Sequence, residues 1–215
     1  MEFETIVCKR EGPVLRISFD RSEVLNAFND TLLREVRDAL EVGYHDPEVH
    51  VFLVDSDCEK AFSAGIDVAY VKDMDGWGTR GVGRELHKTF LALRTVEKPV
   101  VAAIDGLCLG AGLEFALSCD FMIATERSRF GLPNIHRGIP AIVEAAILPI
   151  AVGIQGTREL CYLGEFWDAA KADRRGPIQT MTSVEGFGDE VDALDVGAVL
   201  DLVGAPVVED PGLPR

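Results

Sequence analysis

The hydrophobic pattern along the chain predicts strands and helices in alternation. Val14–Phe19 alternates apolar and polar side chains, as a half-buried strand does. Val51–Ser56, Val100–Ile104 and Phe121–Thr125 are short, largely apolar runs with β-branched residues, which are typical of buried strands. Strands that alternate with helices indicate an α/β fold.

Three helices are predicted between these strands. The first is capped by Asn29 or Asp30 and carries one apolar face, formed by Leu32, Leu33, Val36 and Leu40. The second covers residues 80–96, and the third is a short buried helix over residues 113–119. Four glycines before and within the start of the second helix predict a mobile loop there: Gly76, Gly78, Gly81 and Gly83.

The segment with the most chemical content is residues 98–140, KPVVAAIDGLCLGAGLEFALSCDFMIATERSRFGLPNIHRGIP. Its small residues 110–112 lead from a strand into a helix, so a ligand can approach the backbone closely. Free N–H groups and the positive end of the helix dipole favour an anion at such a start. A second turn of this kind, with Ala64 and Gly65, follows the upstream strand.

Length and charge narrow the class of protein. The 215 residues suit one domain, with a core over residues 1–178 and a short tail over residues 179–215, in the same domain or partly disordered. Acidic residues number 36 against 21 basic ones, a net charge of -15, which argues against nucleic acid or an anionic membrane as a partner. An acidic surface would also suit a high-salt cytoplasm, where salt screens the repulsion between like charges, and we therefore hypothesise a halophilic source.

Cysteine and histidine usage suggests neither disulfides nor a metal. The five cysteines are odd in number, widely spaced and without a C-x-x-C pair, so reduced thiols in the cytoplasm are expected. The four histidines show no metal-ligand spacing, and no metal site is predicted. The N-terminus has no apolar segment of the signal-peptide type, and no membrane span is predicted.

The strings AFSAGID and GLCLGAGLEFALSCD, followed by FGLPNIHRGIP, resemble the crotonase (enoyl-CoA hydratase/isomerase) superfamily. ISFDRSEVLNAFN and RELCYLGEFWDAAKADRRG extend the resemblance over roughly residues 14–171. It implies a spiral of ββα units and an acyl-CoA thioester substrate. It also implies a homotrimer or dimer of trimers, with more C-terminal helices than this short, atypical tail provides.

The resemblance also implies roles for individual residues. Family members stabilise a thioester enolate with two backbone N–H groups, which map here onto Ala64 and Ala111, and use a glutamate that maps onto Glu114 as acid/base. Fixed backbone donors suit developing charge, and burial would raise the pKa of such a glutamate. The implied contacts to substrate and CoA are Arg21, Leu25, Ala27, Ala64, Gly65, Ile66, Asp67, Gly110 and Ala111.

Several of these residues also have plain structural interpretations. The two turns could be ordinary strand-to-helix connections, and Asp67 a turn cap. Arg21 is a candidate phosphate ligand, although an exposed arginine is the commoner case. Glu114 could serve only as a partner of the helix dipole.

The main departure from the family pattern is Asn134, which occupies the place of a second catalytic glutamate. Asparagine orients water but does not exchange protons at neutral pH. Glu144, inside an apolar segment, and His136 are candidate substitutes.

The predicted function is therefore an enoyl-CoA hydratase/isomerase that needs no cofactor beyond the CoA of its substrate. Double-bond isomerisation, or hydrolysis or decarboxylation of an acyl-CoA, are alternatives in which one carboxylate suffices. A non-catalytic acyl-CoA-binding homologue is a further alternative. Dinucleotide binding is disfavoured, because Phe115 replaces the third glycine of G-x-G-x-x-G.

Overall fold

Two β-sheets form the framework of the computed structural model, which describes residues 2–138 and 146–193. The large sheet has the order β1-β2-β3-β5-β7-β10 and the small sheet the order β4-β6-β8-β9. The strands are β1 (Ile6–Glu11), β2 (Val14–Phe19), β3 (Val51–Ser56), β4 (Ala61–Ser63), β5 (Val100–Ile104), β6 (Leu107–Leu109), β7 (Phe121–Thr125), β8 (Arg129–Gly131), β9 (Trp167–Asp168) and β10 (Thr180–Thr182).

Seven α-helices connect or follow these strands in the described residues. They are α1 (Asp30–His45), α2 (Val68–Val71), α3 (Gly76–Thr95), α4 (Ala111–Ala116), α5 (Leu148–Leu163), α6 (Ala169–Arg175) and α7 (Phe187–Asp192). Two short 3-10 helices, Ser22–Val24 and Pro133–Arg137, lie in connections. None of the helices within residues 2–138 and 146–193 reaches the length and hydrophobicity of a membrane-spanning segment.

The chain repeats one pattern, a strand in each sheet and then a helix. β3 and β4 lead to α2 and α3, and β5 and β6 lead to α4. Within each sheet the successive strands of this pattern pair in parallel, β3 with β5 and β4 with β6. This arrangement confirms the α/β class and the spiral of ββα units.

The predicted strands and the first helix are confirmed, whereas one loop prediction is wrong. Asn29 caps α1 by accepting a hydrogen bond from the Leu32 amide at 2.9 Å. The glycine-rich segment predicted as a loop is instead the first part of α3, where Asp75 accepts from the Gly78 amide at 2.8 Å. A cap and continuity with the apolar face of the helix override the low helix propensity of glycine.

Residues beyond the predicted core boundary at 178 contribute to the same sheet. β10 pairs in parallel with β7, and Val191 of α7 is buried against the face formed by Val14, Val51 and Val101. Residues 194–215, which hold the rest of the predicted tail, lie outside the described residues.

The buried carboxylate of Glu35 ties the N-terminal segment to α1. Its oxygens accept hydrogen bonds from the Glu4 amide at 2.9 Å, the Thr5 amide at 2.8 Å and the Thr5 hydroxyl at 2.6 Å. Burial raises the pKa of Glu35, but these donors outweigh burial and leave the pKa below its ordinary value of 4.5. The charged carboxylate is therefore the form that the fold stabilises.

Glu35→Gln should lower the free energy of unfolding by about 1–3 kcal/mol, because the amide group faces donors with a donor of its own. Because folding lowers the pKa of Glu35, its stabilisation is complete above the unfolded-state pKa and is lost as pH falls through the folded-state pKa. The difference between parent and variant should thus be full at about pH 7 and shrink below about pH 4.

Chemical denaturation across this pH range measures the difference. Glu41→Gln is the matched control, since the Glu41 side chain is 73% exposed and should change the free energy of unfolding by less than about 0.5 kcal/mol. Equal effects of the two substitutions at neutral pH would contradict the role given to Glu35.

Candidate active site

Two strand-to-helix turns, residues 64–67 and residues 110–112, meet at one end of the small sheet and are called the paired turns below. β4 and β6 are parallel neighbours with Ala61 opposite Leu107, and parallel strands that lie side by side run toward the same edge of a sheet. A Cβ atom added to Gly65 would lie 3.2 Å from the Ala111 nitrogen. The two turns are therefore in direct contact.

Glycine is required where the backbones of the paired turns touch. Gly65 has a φ of +96°, and a Cβ there would lie 2.9 Å from the Leu109 oxygen. A Cβ on Gly112 would lie 2.8 Å from both the Cβ and the carbonyl oxygen of Ser63. Any larger residue at either position would push the first turn of α4 away from β4.

The Ala64 amide, predicted to donate to the substrate, is already used within the fold. Its N–H donates to the Leu25 carbonyl at 2.9 Å. The Gly65 amide donates to the Ser63 hydroxyl at 3.1 Å, and the Asp67 amide donates to the Phe28 carbonyl at 3.0 Å. Because its N–H is bonded to Leu25, the Ala64 amide is not available to a substrate, and its prediction as an oxyanion donor is wrong.

The Ile66 amide, in contrast to that of Ala64, is not used within the described part of the fold. Phe28 forms a parallel bridge with Ile66, in which the Phe28 amide donates to the Gly65 carbonyl at 2.7 Å. In such a bridge the central residue of the bonded triplet directs its own N–H away from the partner strand. The Ile66 N–H therefore points away from Phe28, and it donates to no acceptor in the described part of the chain.

The Ala111 amide is the second donor of the paired turns. Ala111 is the first residue of α4, after Gly110 with φ 55° and ψ -128°. The first amides of a helix have no acceptor within the helix, and within residues 2–138 and 146–193 the Ala111 N–H has no hydrogen-bond acceptor. Two backbone donors are thus presented where the turns meet.

Glu114 lies in the first turn of α4 and is only 3% exposed. The neighbouring Phe115 ring packs with Phe19 at a centroid distance of 5.4 Å, so one side of this turn is apolar. Burial raises the pKa of the Cys161 thiol, and the negative charge of Glu114 raises it further. α5 therefore comes close to Glu114, a neighbour that no sequence pattern had indicated.

Asn134 lies beside the paired turns, whereas His136 faces another element. The Asn134 Oδ1 atom would be 3.4 Å from a Cβ built on Gly110. The His136 Nε2 atom would be 2.6 Å from a Cβ on Gly164, at the C-terminal end of α5. Glu144, the other candidate substitute for a second glutamate, lies outside the described residues.

Arg21 and Asp67 form an ion pair that joins the segment of residues 21–28 to the turn after β4. Arg21 Nη2 lies 3.1 Å from Asp67 Oδ2, and Nη1 donates to the Ala27 carbonyl at 2.5 Å. The other Asp67 oxygen caps α2 by accepting from the Ala69 amide at 3.0 Å. Asp67 is thus a turn cap, and the predicted phosphate contact of Arg21 stays a prediction.

The remaining residues predicted to contact CoA surround the paired turns. Leu25 and Ala27 lie on the segment that accepts the Ala64 and Arg21 hydrogen bonds, and Gly110 lies between β6 and α4. Within residues 2–138 and 146–193, no group of three or more His, Cys, Asp or Glu side chains could hold a metal ion.

Comparison of the sequence with known proteins places this geometry in context. The family model for enoyl-CoA hydratase/isomerase matches residues 9–195. The chain is 32% identical over 192 residues to crotonyl-CoA hydratase of Syntrophomonas wolfei, covering 89% of this chain and 74% of that protein. It is 34% identical over 179 residues to short-chain-enoyl-CoA hydratase of Clostridium acetobutylicum, covering 83% and 69% respectively.

Solved structures show the same fold. An enoyl-CoA hydratase from Bacillus anthracis matches with a TM-score of 0.84 and 26% identity, over 94% of this chain and 76% of that one. An enoyl-CoA hydratase/carnithine racemase from Magnetospirillum magneticum matches with a TM-score of 0.86 and 25% identity, over 95% and 76%. With the family model matching most of its length, the chain belongs to the enoyl-CoA hydratase/isomerase family, the crotonase superfamily.

Proposed function

We propose that the Ile66 and Ala111 amides receive the thioester carbonyl oxygen of a 2-enoyl-CoA, and that Glu114 transfers the protons of its hydration. The observation that carries the proposal is the contact between the paired turns, with a Gly65 Cβ position 3.2 Å from the Ala111 nitrogen. Both donors are fixed by the fold, so they need no reorganisation when negative charge develops on the oxygen.

In this proposal Glu114 acts first as base and then as acid. Its carboxylate takes a proton from water while the water oxygen bonds to the β-carbon, and the π electrons move onto the carbonyl oxygen as an enolate. The enolate then collapses, and Glu114 returns the proton to the α-carbon. The product is a 3-hydroxyacyl-CoA, and the glutamate ends in its starting state.

Asn134 supports a second candidate reaction, double-bond isomerisation. That reaction moves a proton from the α-carbon of a 3-enoyl thioester to its γ-carbon through a dienolate, whose oxygen would occupy the same two N–H donors, and it needs one acid/base group. The carboxamide, near Gly110, is placed to orient water by hydrogen bonding but has no proton to exchange. Asn134 in place of a second glutamate therefore favours isomerisation relative to hydration.

The wider proposal includes the molecule's setting. CoA enters as part of the substrate, and the chain needs no other cofactor. The five free cysteines suit a reducing compartment, which favours the cytoplasm. Assembly into a homotrimer or a dimer of trimers stays a prediction, as does the halophilic interpretation of the acidic surface.

The direct test is an assay of purified protein with crotonyl-CoA and with a 3-enoyl-CoA. Loss of the conjugated enoyl-thioester absorbance reports hydration, gain of it from the 3-enoyl substrate reports isomerisation, and free thiol reports hydrolysis. No turnover of any of these substrates by folded protein would contradict the proposed function.

Ala111→Pro should reduce kcat by about a hundred- to a thousandfold, because it deletes one of the two N–H groups that donate to the substrate carbonyl oxygen. The variant should fold, since proline is tolerated at the first position of a helix. Residues before proline favour an extended backbone, and the φ of 55° and ψ of -128° at Gly110 are the mirror image of that conformation, which glycine adopts as readily. Steady-state kinetics with crotonyl-CoA measure the loss.

Ala111→Gly is the control for this variant, because it keeps the N–H group while changing the side chain. It should retain activity within a few fold. Unchanged kcat in a folded Ala111→Pro protein would remove Ala111 from the oxyanion hole.

Glu114→Gln should reduce kcat by about a hundred- to ten-thousandfold at nearly constant volume, since the amide cannot exchange the proton. Glu126→Gln, at an exposed position, is the control. Circular dichroism confirms folding of both variants before rates are compared. Activity of the Glu114 variant close to that of the parent would give this residue a structural role only.

Asn134→Glu should raise crotonyl-CoA hydration by about tenfold or more, because a second proton-transferring group then stands beside the paired turns. Isomerisation of the 3-enoyl substrate should change less. Asn134→Gln lengthens the side chain without adding a carboxylate and serves as the control. An equal increase with both variants would show that side-chain length, and not proton transfer, limits the parent.

A further inference from the structure

Two consecutive residues of the segment 21–28 have left-handed backbone conformations without being glycine. Leu25 has a φ of 55° and Asn26 a φ of 52°. Asparagine tolerates this region better than most residues, whereas leucine seldom adopts it. Such strain persists only where the surrounding structure holds it in place, and it is concentrated at functional sites.

The Asn26 side chain holds this conformation from within the core. Asn26 is 0% exposed, and its Oδ1 accepts from the Arg21 amide at 2.8 Å. Its Nδ2 donates to the Ser56 hydroxyl at 2.6 Å and to the Phe62 carbonyl at 3.2 Å. The carboxamide therefore joins the segment 21–28 to the ends of β3 and β4.

The carbonyl groups of the same two residues hold the turn that carries Ile66. The Leu25 carbonyl accepts from the Ala64 amide at 2.9 Å, and the Asn26 carbonyl accepts from the Ser63 hydroxyl at 2.8 Å. The Ser63 oxygen in turn accepts from the Gly65 amide at 3.1 Å. Each of the three residues before Ile66 is thus tied, directly or through Ser63, to the strained pair.

Ser63 also contacts the other half of the paired turns. Its Cβ and carbonyl oxygen lie 2.8 Å from the Cβ position of Gly112, in the first turn of α4. Ser63 is 0% exposed. One small side chain therefore touches both the turn that presents Ile66 and the helix start that presents Ala111.

From these contacts we infer that Asn26 and Ser63 are positioning residues, which fix the direction of the Ile66 amide relative to that of Ala111. The inference rests on the proposed function, because it concerns the donors of that site. Neither residue touches the reacting atoms. Their effect is on alignment, and a misplacement of about 1 Å at a reacting centre is enough to cost about a hundredfold in rate.

A purely structural role of Ser63 and a positioning role lead to different expected results. Loss of a structural hydrogen bond lowers the free energy of unfolding and leaves kcat of the folded fraction unchanged. Loss of a positioning contact lowers kcat more than it changes KM, because the bond to the carbonyl oxygen strengthens as the enolate forms. It also weakens polarisation of a bound thioester carbonyl.

The test compares Ser63→Ala and Ser63→Cys with Ser128→Ala as control. Ser128 is also 0% exposed, and its hydroxyl donates to the Ile104 carbonyl at 3.0 Å. It precedes β8, at the end of the small sheet opposite the paired turns. The measurements are kcat and KM with crotonyl-CoA, thermal unfolding, and infrared difference spectra of bound butyryl-CoA labelled with 13C at its thioester carbonyl.

Ser63→Ala should reduce kcat by about ten- to a hundredfold with KM changed by less than about threefold, and it should shrink the shift of the carbonyl band. Ser63→Cys, which keeps a weaker hydrogen-bonding group, should lie between it and the parent. Ser128→Ala should keep the parent's kcat and band position even if its stability falls.

Two negative outcomes are distinguishable. If the parent itself neither turns over enoyl-CoA nor shifts the butyryl-CoA band, the proposed function fails. If the parent does both and Ser63→Ala retains its kcat and its band shift, the positioning inference alone is overturned. Should Ser63→Ala not fold, Asn26→Gly, which keeps the left-handed backbone but removes the carboxamide, is measured in the same way and must show the same losses.

Discussion

Parallel pairing between β4 and β6 brings two turns that are distant in sequence side by side, and the proposed chemistry depends on that pairing. Ala61 stands opposite Leu107 in this pair, so the chain leaves both strands toward the same edge. The following residues are packed so tightly that a Cβ on Gly65 or on Gly112 would collide with the opposing turn. Backbone contact thereby holds the two turns close together, while the side chains of Asn26 and Ser63 bear on the direction of the Ile66 amide.

A cluster of phenylalanine rings in the hydrophobic core packs behind the paired turns. Phe28 is the bridge partner of Ile66, Phe62 precedes Ser63, and Phe115 follows Glu114. The rings of Phe28 and Phe115 lie 5.6 Å apart and those of Phe62 and Phe115 6.1 Å apart, and each of the three also packs against Phe19. Each of the three segments that form the proposed site thus contributes one phenylalanine to the same cluster. A change in the packing of this cluster would therefore also change the alignment of the N–H donors.

The hydrophobic pattern predicts the central strands of the large sheet and three helices, but it does not fix the direction of individual amides. Apolar runs gave β2, β3, β5 and β7 with their bounds, because burial and strand propensity are local signals. The sequence predicts Ala64 as a donor to the substrate, but its N–H donates to the Leu25 carbonyl, and Gly65 is the cause of this difference between positions 64 and 66. In a regular strand residues 64 and 66 would present their amides to the same side, and the φ of +96° between them breaks that alternation. The Arg21–Asp67 pair and the approach of α5 to Glu114 are long-range contacts that no local pattern encodes.

In the proposed site the backbone and the side chains have different tasks, and this difference allows the same fold to support hydration or isomerisation. In the proposed mechanism two peptide N–H groups stabilise the enolate, and they remain whatever residue stands at positions 66 and 111, proline excepted. In the proposed mechanism Glu114 transfers the protons, and Asn134 orients water by hydrogen bonding. Either side chain can change without moving the paired turns. Hydration and isomerisation both place negative charge on the thioester oxygen, through an enolate in the first case and a dienolate in the second, and they differ in where protons go. In the proposed mechanism the side chain at position 134 therefore bears on the choice of reaction and leaves the two N–H donors unchanged. We therefore expect the side chains beside Gly110 to determine the reaction type, and the backbone of the paired turns to stabilise the charge that forms in both reactions.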